Sequence, residues 1–540
     1  MEKTIHESQR PNILWISMED TSPRFGCYGD YLARTPNIDR LAIEGRRYPN
    51  AFSTAGVCAP SRSAIITGMY QTSIGTHHMS TSYTNPSVPD MPTPYSAVLP
   101  PHVKTFTEYL RASGYYCTNN EKTHYQFDVP FTAWDECGSH AHWRNRESGQ
   151  PFFSVFNPTV THESGMWPNE DKPLITDPRQ LQLPPYIPDT PMIREALARH
   201  YDNIAESDRR IGGILGQLEE DGLADNTVVF LWSDHGEGLP RAKRWLYDAG
   251  IRIPLIVRWP GQLESGVAED LISLVDLAPT VLSLAGVEIP FHMQGSPFLG
   301  PNVQPREYVF AARDRHDAAY DRVRAVRDKR YKYIRNYYPE KPYQLWIPYL
   351  NRHPIMKEMW RLYAKGQLEG VQQILFRSCR PVEELYDCEN DPFEIHNLAD
   401  DSSHRSTLER MRLSLDEWRS RFGDMGDIAE DVMVAQMWRG NTQPRTIAPV
   451  IVPIDDLHPG VDIFLDGDVF MEPLLIQLHC ATQGASIGYT MDTGDQPQWK
   501  LYTEPFFLSP GTTVLRTKAI RIGYQESPEN EATFVVNPSQ

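Results

Sequence analysis

The stretch Asn12-Ile13-Leu14-Trp15-Ile16-Ser17 is a short, continuously apolar run that follows Pro11 and is closed by the acidic pair Glu19-Asp20. Such a run is typical of a strand buried on both faces of a parallel sheet. A second run of this kind, Thr227-Val228-Val229-Phe230-Leu231-Trp232-Ser233, is also followed at once by polar residues. The two runs predict neighbouring strands at the centre of the molecule, with polar groups at their carboxyl ends.

The chain between these two strands contains helical patterns. Across residues 192–223, apolar residues recur at spacings of three and four, for example at Ile211, Leu215 and Leu218. Strands that alternate with helices favour an α/β fold, in which helices cover both faces of a mixed, mostly parallel sheet. Because sites in such sheets form beyond the carboxyl ends of the strands, we expect the acidic residues after the two strands to lie close together.

The sequence predicts three domains. An α/β domain spans residues 11–300, a smaller α+β subdomain spans 301–445, and an all-β sandwich spans 460–540. In the subdomain, a hairpin is expected around Asp328, and helical segments are expected near residues 356–376 and 406–421. Four prolines between residues 444 and 459 indicate a linker. The β-rich stretches after it are separated by turn sequences and lie at residues 474–479, 486–491, 513–522 and 532–536.

Composition limits the class of protein. The 540 residues are 40% hydrophobic and carry a formal net charge of -18, which argues against binding to nucleic acid or to anionic membranes. Residues 1–8 precede no apolar signal core. We therefore expect a cytoplasmic protein, or a periplasmic or secreted one if a signal peptide has been removed. The seven cysteines are scattered without CxxC spacing, which argues against a zinc knuckle or a disulfide framework.

One cysteine lies in an unusual context, Gly56-Val57-Cys58-Ala59-Pro60-Ser61-Arg62-Ser63-Ala64-Ile65-Ile66-Thr67-Gly68. Proline is suited to the first turn of a helix and glycine to its end, so Cys58 is expected just ahead of a helix N-terminus. The helix dipole favours anions there, and Arg62 lies one turn further on. A thiol in this place is expected to be acidified. The alternative is a small buried cysteine before an ordinary helix.

This segment resembles the signature of the sulfatase family, Cys-x-Pro-Ser-Arg followed by an apolar stretch and Thr-Gly. The resemblance implies an alkaline phosphatase-like fold. It also implies that Cys58 is oxidised by a formylglycine-generating enzyme to formylglycine, whose hydrate is the nucleophile. Covalent catalysis of this kind divides one difficult step into two easier ones.

The resemblance assigns a metal site to the residues that follow the two buried strands, together with Cys58. The ligands that it implies are Asp20, Asp234, His235 and Glu19, the last of which replaces the family's usual aspartate. Oxygen-rich ligation favours Ca²⁺ first and Mg²⁺ second, and the imidazole also suits Mn²⁺ or zinc.

A ring of cationic and imidazole groups is implied by the same family pattern. Lys122 and His124 match the family's Gly-Lys-x-His segment, although Glu121 replaces the glycine. The resemblance implies that Lys122 binds the sulfate and that His124 is the base that drives its release. His162, after an apolar strand at residues 152–156, and Lys243 would contact the leaving oxygen, one of them as proton donor. Each residue taken singly could equally be structural.

Five further residues are candidates for binding the sugar or aglycone, namely His77, His78, Arg313, Arg315 and His316. For these, a structural role is as well supported as a functional one. The short loop from Gly236 to Lys243 resembles glycan-acting or N-sulfoglucosamine-acting members of the family.

The main hypothesis is hydrolysis of a sulfate monoester, on a small molecule or an oligosaccharide and most simply on a sulfated carbohydrate. Phosphonate monoester or phosphodiester hydrolysis is an alternative, because relatives with the same nucleophile and an Asp-His metal pair catalyse it. A non-catalytic glycan-binding protein is a third interpretation. The resemblance extends over residues 11–424, and the last module is similar to the C-terminal β-sandwich of chitobiase-type enzymes, which would either bind glycan or pack on the catalytic domain.

Overall fold

A computed structural model describes residues 10–169, 172–301, 303, 305–456, 458–460 and 469–538. Residues 1–8, on which the predicted location in the cell depends, lie outside this range. The helices run, in chain order, α1 Pro36–Glu44, α2 Cys58–Thr67, α3 Phe106–Ala112, α4 Pro191–Glu220, α5 Asp248–Ile251, α6 Leu277–Leu284, α7 Pro354–Ala364, α8 Arg405–Phe422 and α9 Glu430–Met437. In the part of the chain that is described, no helix is both long and apolar enough to span a bilayer.

The strands run, in chain order, β1 Asn12–Met18, β2 Arg46–Arg47, β3 Ala51–Phe52, β4 Tyr116–Asn120, β5 Glu136–Cys137, β6 Phe152–Phe156, β7 Thr227–Ser233, β8 Arg252–Ile253, β9 Leu255–Arg258, β10 Gly266–Val267, β11 Ile272–Ser273, β12 Val309–Arg313, β13 Val323–Arg327, β14 Tyr331–Asn336, β15 Glu383–Asp387, β16 Val450–Ile454, β17 Val469–Met471, β18 Leu474–His479, β19 Ser486–Thr490, β20 Lys500–Leu501, β21 Phe506–Leu508, β22 Gly511–Ile520 and β23 Asn530–Asn537.

The central sheet has eight strands in the order β10-β2-β9-β7-β1-β6-β4-β5. The strand β1 pairs in parallel with both β7 and β6, and β4 extends the parallel part beyond β6, whereas β9 is antiparallel to β7. Every residue of β1 is buried. Ile13 and Trp15 face one core, with α2, α3 and α6, while Leu14 and Ile16 face the other, with α1 and α4. The predicted α/β fold with a mostly parallel sheet between helices is confirmed.

The smaller subdomain is an antiparallel sheet of four strands, β12-β13-β14-β15, on which α8 packs. The predicted hairpin is present, because β13 pairs with β14 on either side of Asp328. The single helical segment expected near residues 356–376 is wrong in part. Helix α7 ends at Ala364, Gly366 follows with φ +65°, and a 3₁₀ helix then runs over Gly370–Phe376. The left-handed glycine interrupts the helix.

The C-terminal region folds as two sheets, β16-β18-β21 and β17-β23-β22-β19-β20, which share one apolar core. The interpretation of residues 444–459 as a linker is wrong where strand β16 pairs with β18. Pro453 lies in β16, which is an edge strand of its sheet, the place where a strand tolerates proline. The predicted boundary at residue 460 therefore falls too late for this module. Residues 461–468, inside the predicted module, lie outside the described residues.

Candidate active site

The carboxyl ends of four neighbouring strands supply the predicted site. Glu19 and Asp20 follow β1, Asp234 follows β7, His162 follows β6, and Lys122 follows β4. Because β1, β7, β6 and β4 are parallel and adjacent, their carboxyl ends meet at one edge of the sheet. The proximity that the sequence predicted for the two acidic groups is present, since the Asp20 amide donates to Asp234 Oδ1 at 3.3 Å.

Cys58 lies at the centre of this edge. It is the first residue of α2 rather than a residue ahead of it, because the cap is Val57, and Gly68 ends the helix with φ +66° as predicted. The thiol is buried, with Sγ 3.3 Å from His235 Nε2 and 4.0 Å from Asp20 Oδ1. The helix N-terminus thus presents residue 58 directly to the acidic cluster.

The expected acidification of the Cys58 thiol is wrong. Burial raises the pKa of Cys58 well above its ordinary value, and the carboxylates of Asp234 and Asp20 add to this, while Lys243 and Arg62 oppose it. Desolvation and nearby negative charge therefore outweigh the favourable field of the helix. Without a bound cation, these effects hold an unmodified thiol in its neutral form, which is a poor nucleophile.

Buried carboxylate and imidazole groups surround Cys58. His235 Nε2 lies 3.0 Å from Asp20 Oδ1 and 3.7 Å from Asp234 Oδ1. Asp20, Cys58 and His235 each offer a ligand atom within 4.8 Å of the others, and so do Glu19, Cys58 and Asp234. Three carboxylates that are at most 2% exposed are costly to crowd together without compensating positive charge. This donor set fits a hard divalent cation.

Cationic side chains bind the same carboxylates. Arg62 Nε donates to Asp234 Oδ2 at 3.0 Å, Lys243 Nζ lies 2.7 Å from Asp20 Oδ2, and Lys122 contacts Glu19. Burial alone would raise the pKa of Asp20, but Lys243 and neighbouring imidazoles lower it well below its ordinary value. The predicted metal ligands and the predicted sulfate-binding cations therefore form one network.

The guanidinium of Arg62 is only partly hydrogen-bonded. Its Nη1 donates to Asn157 Oδ1 at 3.0 Å, and Asn157 in turn donates to Asn119 Oδ1 at 3.1 Å. Arg62 Nη2 is buried, and within the described ranges it has no hydrogen-bond partner. A buried unpaired guanidinium donor is costly unless a ligand satisfies it.

The two predicted histidines flank the site. His162 is half-buried, with Nδ1 2.8 Å from Ser164 Oγ, and its ligand atom lies within 4.8 Å of those of Asp20 and Glu163. Burial lowers the pKa of His162 to about 4 although Asp20 opposes this, so its ring is neutral near pH 7. His124 is partly exposed, and partial desolvation of its ring lowers its pKa, with the charges of Lys122 and Arg62 acting in the same direction.

A family model described as Sulfatase matches residues 11–140 and 140–287, just over half of the chain. The chain belongs to the sulfatase family. A second family model, described as N-sulphoglucosamine sulphohydrolase, C-terminal, matches residues 236–381. The family resemblance of the nucleophile segment is confirmed by these matches.

Relatives of this sulfatase are similar over most of their length. An ulvan-active sulfatase of Formosa agariphila is 42% identical over 561 aligned positions, which cover 96% of this chain and 90% of that protein. Among solved structures, a 2-O GAG sulfatase has a TM-score of 0.57 at 20% identity, covering 77% of this chain and 93% of that one. A phosphonate monoester hydrolase of Silicibacter pomeroyi also has a TM-score of 0.57, at 19% identity, covering 77% and 96%. These distant structures establish the alkaline phosphatase-like fold.

Sequence reasoning missed two charged residues of this sulfatase site. Glu163 accepts from Arg244 Nη1 at 2.9 Å and Nη2 at 2.6 Å, lies 3.1 Å from Lys243 Nζ, and donates its backbone N–H to Asp20 Oδ2 at 2.7 Å. Burial would raise the pKa of Glu163, but the cations Arg244 and Lys243 lower it to about 2. The available signal was position alone, since Glu163 and Arg244 each follow a predicted site residue directly.

The five candidates for sugar binding lie together but are buried. Arg315 binds Glu430 through two hydrogen bonds of 2.6 Å and so has a structural partner. Arg313 lies 3.3 Å from Asp321, but its Nε and Nη1 make no hydrogen bond among the described residues. The imidazoles are also incompletely hydrogen-bonded. Both ring nitrogens of His77, Nε2 of His78 and Nδ1 of His316 have no hydrogen-bond partner among the residues described. Their role in binding substrate stays a prediction.

Proposed function

We propose that this sulfatase hydrolyses a sulfate monoester on a carbohydrate, with a formylglycine nucleophile made from Cys58. One observation carries the proposal: Cys58 lies at a helix N-terminus, 3.3 Å from His235 Nε2 and 4.0 Å from Asp20 Oδ1, inside a shell of buried cations. Nucleophile, metal ligands and anion-binding groups thus converge on a space suited to one small tetrahedral anion.

We assign the metal to Glu19, Asp20, Asp234 and His235, with Ca²⁺ as the first choice and Mg²⁺ or Mn²⁺ as alternatives. When bound, such a cation supplies Lewis acidity toward a sulfate oxygen. The formylglycine hydrate supplies a hydroxyl nucleophile and a second hydroxyl for its own release. We infer that a formylglycine-generating enzyme is the partner in maturation.

The chain's own cations hold the sulfate group. We assign Arg62 Nη2, which has no partner in the described structure, and the ammonium of Lys122 to the peripheral sulfate oxygens. His124 has a lowered pKa, so it is unprotonated at neutral pH and able to accept a proton. These groups are in place before substrate arrives, which limits reorganisation during the reaction.

Two groups are assigned to the leaving oxygen. Asp20 and Glu163 raise the pKa of Lys243 against the effect of burial, so Lys243 is charged at neutral pH, whereas His162 is neutral. We propose that Lys243 supplies positive charge and the proton, and that His162 orients the leaving oxygen through Nε2, since its Nδ1 faces Ser164 Oγ. The opposite assignment predicts a rate that depends on protonation of His162.

Similarity supports a carbohydrate substrate. The relative with 42% identity is an ulvan-active sulfatase, and we propose that this chain also acts on a sulfated polysaccharide or oligosaccharide. We assign the unpartnered imidazoles of His77, His78 and His316 to the sugar hydroxyl groups, because buried imidazole nitrogens need hydrogen-bond partners. The arginines of this cluster, Arg313 and Arg315, would then fix the histidines in place.

Phosphonate monoester hydrolysis remains a second candidate because of two observations. A phosphonate monoester hydrolase has the same fold similarity as a sulfatase structure, and His235 gives the metal site an Asp-His pair. Rates measured side by side on an aryl sulfate and an aryl phosphonate monoester distinguish the two reactions.

The experiment that tests the main proposal is a screen of sulfated mono- and oligosaccharides with the wild type and Cys58→Ala. We expect sulfate release by the wild type only, with both proteins folded, since Cys58 is a small buried side chain. Equal release by Cys58→Ala would contradict the nucleophile assignment, and release of phosphonate alone would favour the second candidate.

A further inference from the structure

The C-terminal β module, which starts at strand β16, docks on the catalytic domain through its five-stranded sheet. The ring of Trp499 contacts Phe131 of the catalytic domain, with ring centroids 5.8 Å apart. Lys518 Nζ lies 4.2 Å from the centroid of Phe131 and 4.8 Å from that of Trp499. A Cβ at Gly488 would come within 2.5 Å of the Phe131 ring. Three residues of the module, Trp499, Lys518 and Gly488, therefore lie close to the ring of Phe131.

Polar and apolar contacts extend this interface. Arg111 Nη2 donates to the Trp499 carbonyl at 2.8 Å, and Lys104 Nζ donates to the Gly484 carbonyl at 2.6 Å. Ile522 of the module is buried in the main core of the catalytic domain. An interface with close backbone approach and a shared core side chain is that of a permanently packed domain.

Phe131 belongs to the segment of residues 121–135 between β4 and β5, which we call the Lys122 loop because it also carries Lys122 and His124. At its C-terminal end, the loop is followed by β5, which pairs with β4 over only two residues. Within the loop, Tyr125, Phe127, Ala133 and Trp134 are buried in the main core of the catalytic domain, and the Lys122 carbonyl accepts from Asn119 Nδ2 at 3.1 Å. The contact of the module with Phe131 adds to these core contacts in defining where the loop lies.

The Lys122 loop also contains strained backbone. Glu121, His124 and Gln126 have φ values of +68°, +55° and +62°, in the left-handed region that non-glycine residues avoid. Each such residue costs on the order of 1 kcal/mol, and the conformation persists only when its surroundings determine it. The Gln126 carbonyl accepts from the Ala97 amide at 3.0 Å. The module packs against the segment that contains Ala97, where Gly523 lies close to the Ala97 carbonyl.

We propose that Trp499 and Lys518 are positioning residues for the sulfatase reaction. Their contact with Phe131 adds to the core contacts of the Lys122 loop. Through the loop it helps to position the ammonium of Lys122 and the imidazole of His124. The inference rests on the proposed roles of those two residues. It also assigns the docked face of the module to packing and not to glycan binding.

The test compares Trp499→Ala and Lys518→Met with the wild type, all as full-length protein loaded with Ca²⁺. Phe507→Ala is the matched control, because Phe507 lies in the other sheet of the same module and is 64% exposed. Trp499→Phe is the conservative variant, which keeps a ring against Phe131. Two readouts are taken: hydrogen–deuterium exchange of the peptide covering residues 121–135, and kcat and KM on 4-nitrophenyl sulfate and on ulvan.

We expect faster exchange in the Lys122 loop and a kcat about tenfold lower on both substrates for Trp499→Ala, with a smaller loss for Lys518→Met, because misplaced catalytic groups lower the rate of the chemical step. Phe507→Ala and Trp499→Phe should resemble the wild type. A purely structural role would lower Tm in Trp499→Ala and leave kcat unchanged.

Four results would overturn the inference, the last of them by removing the function on which it rests. Unchanged exchange in the loop would contradict this positioning of the loop while leaving the proposed sulfatase function intact. Faster exchange with unchanged kcat would contradict the roles given to Lys122 and His124. A raised KM for ulvan alone, with an unchanged kcat on the small ester, would show that the module binds glycan. Absence of turnover in the wild type on every sulfate ester would remove the proposed function itself.

Discussion

Lys243 Nζ donates to Asp20 Oδ2 across 2.7 Å and so joins a predicted leaving-group cation to a predicted metal ligand. Both side chains are buried, and Asp20 has φ +47°, a left-handed backbone conformation that only glycine, asparagine and aspartate adopt with any frequency. The same ammonium lies 3.1 Å from Glu163 Oε1. On the proposed assignments, metal binding and leaving-group stabilisation therefore share the Asp20 carboxylate, and a variant of Lys243 can be used to measure the two effects separately.

Lys243→Met is expected to separate these two effects. Loss of the ammonium should lower kcat/KM by about 10²- to 10³-fold, because a preorganised charge at the leaving oxygen is removed. Affinity for Ca²⁺, measured by isothermal titration calorimetry, should stay equal or rise, because Asp20 loses a competing cation. Lys357→Met on the exposed face of α7 is the control and should behave as the wild type. Weaker Ca²⁺ binding by Lys243→Met would contradict this view of Asp20.

Glu163→Gln is expected to impair both stability and catalysis. The substitution leaves Arg244 and Lys243 with one fewer negative charge in a buried site, which should lower the free energy of unfolding by about 3 kcal/mol. The rate should fall as well, because Lys243 loses one of the two carboxylates that orient it. Urea unfolding and steady-state kinetics measure the two effects. The exposed Glu147→Gln is the matched control, and a stable, fully active Glu163→Gln would refute the role.

Glu121→Gly is expected to stabilise the protein and to preserve its activity. Glu121 has φ +68°, and the sulfatase pattern has glycine at this position. Relief of the left-handed conformation should raise the free energy of unfolding by about 0.5–1 kcal/mol. The same substitution at Glu195, which is exposed in helix α4, should instead destabilise by about 1 kcal/mol. Chemical denaturation of both variants checks the difference in sign.

Asp424→Asn is expected to change the response of stability to acid. Burial would raise the pKa of Asp424, but Arg324 and Arg419 lower it well below the ordinary value. A carboxyl with a depressed folded pKa contributes stability above its unfolded pKa of about 3.9, and this contribution is lost as pH falls through that range toward the folded pKa. The variant should therefore be less stable than the wild type by about 2 kcal/mol at pH 7.

The difference between wild type and Asp424→Asn should shrink below about pH 4, where the wild-type carboxylate itself becomes protonated. Urea unfolding at pH 7, 5 and 3.5 measures this trend. Asp416→Asn is the control, because Asp416 is exposed on α8. A difference in the free energy of unfolding that grows as the pH falls would contradict the lowered pKa that Arg324 gives to Asp424.

Local sequence predicted the parts of the molecule that depend on local patterns. The apolar runs of β1 and β7 identified the central strands because both faces of these strands are buried. The prolines led to the prediction of a linker where the structure has the strand Val450–Ile454. An edge strand accepts Pro453, but its position at the edge depends on pairing with a strand more than twenty residues away, which the local sequence does not show.

The same distinction between local patterns and long-range contacts applies to the residues of the site. The family resemblance predicted Asp20, Cys58 and Asp234 as site residues, and the order of elements predicted that the acidic residues after the two strands would lie close together. The pair of Glu163 and Arg244 was not predicted, because it joins residues 81 positions apart that carry no spacing signal. The protonation of Cys58 was predicted with the wrong sign, since the helix terminus is visible in sequence and the depth of burial is not.

The central claim is that residue 58 is the nucleophile precursor, and mass spectrometry combined with kinetics tests it most directly. The protein would be produced with graded amounts of a formylglycine-generating enzyme, and each batch assayed both for the fraction of Cys58 converted to the aldehyde and for sulfate release. The account predicts that activity rises in proportion to the converted fraction and is zero at no conversion. Full activity in a batch that carries only the unmodified thiol would contradict it.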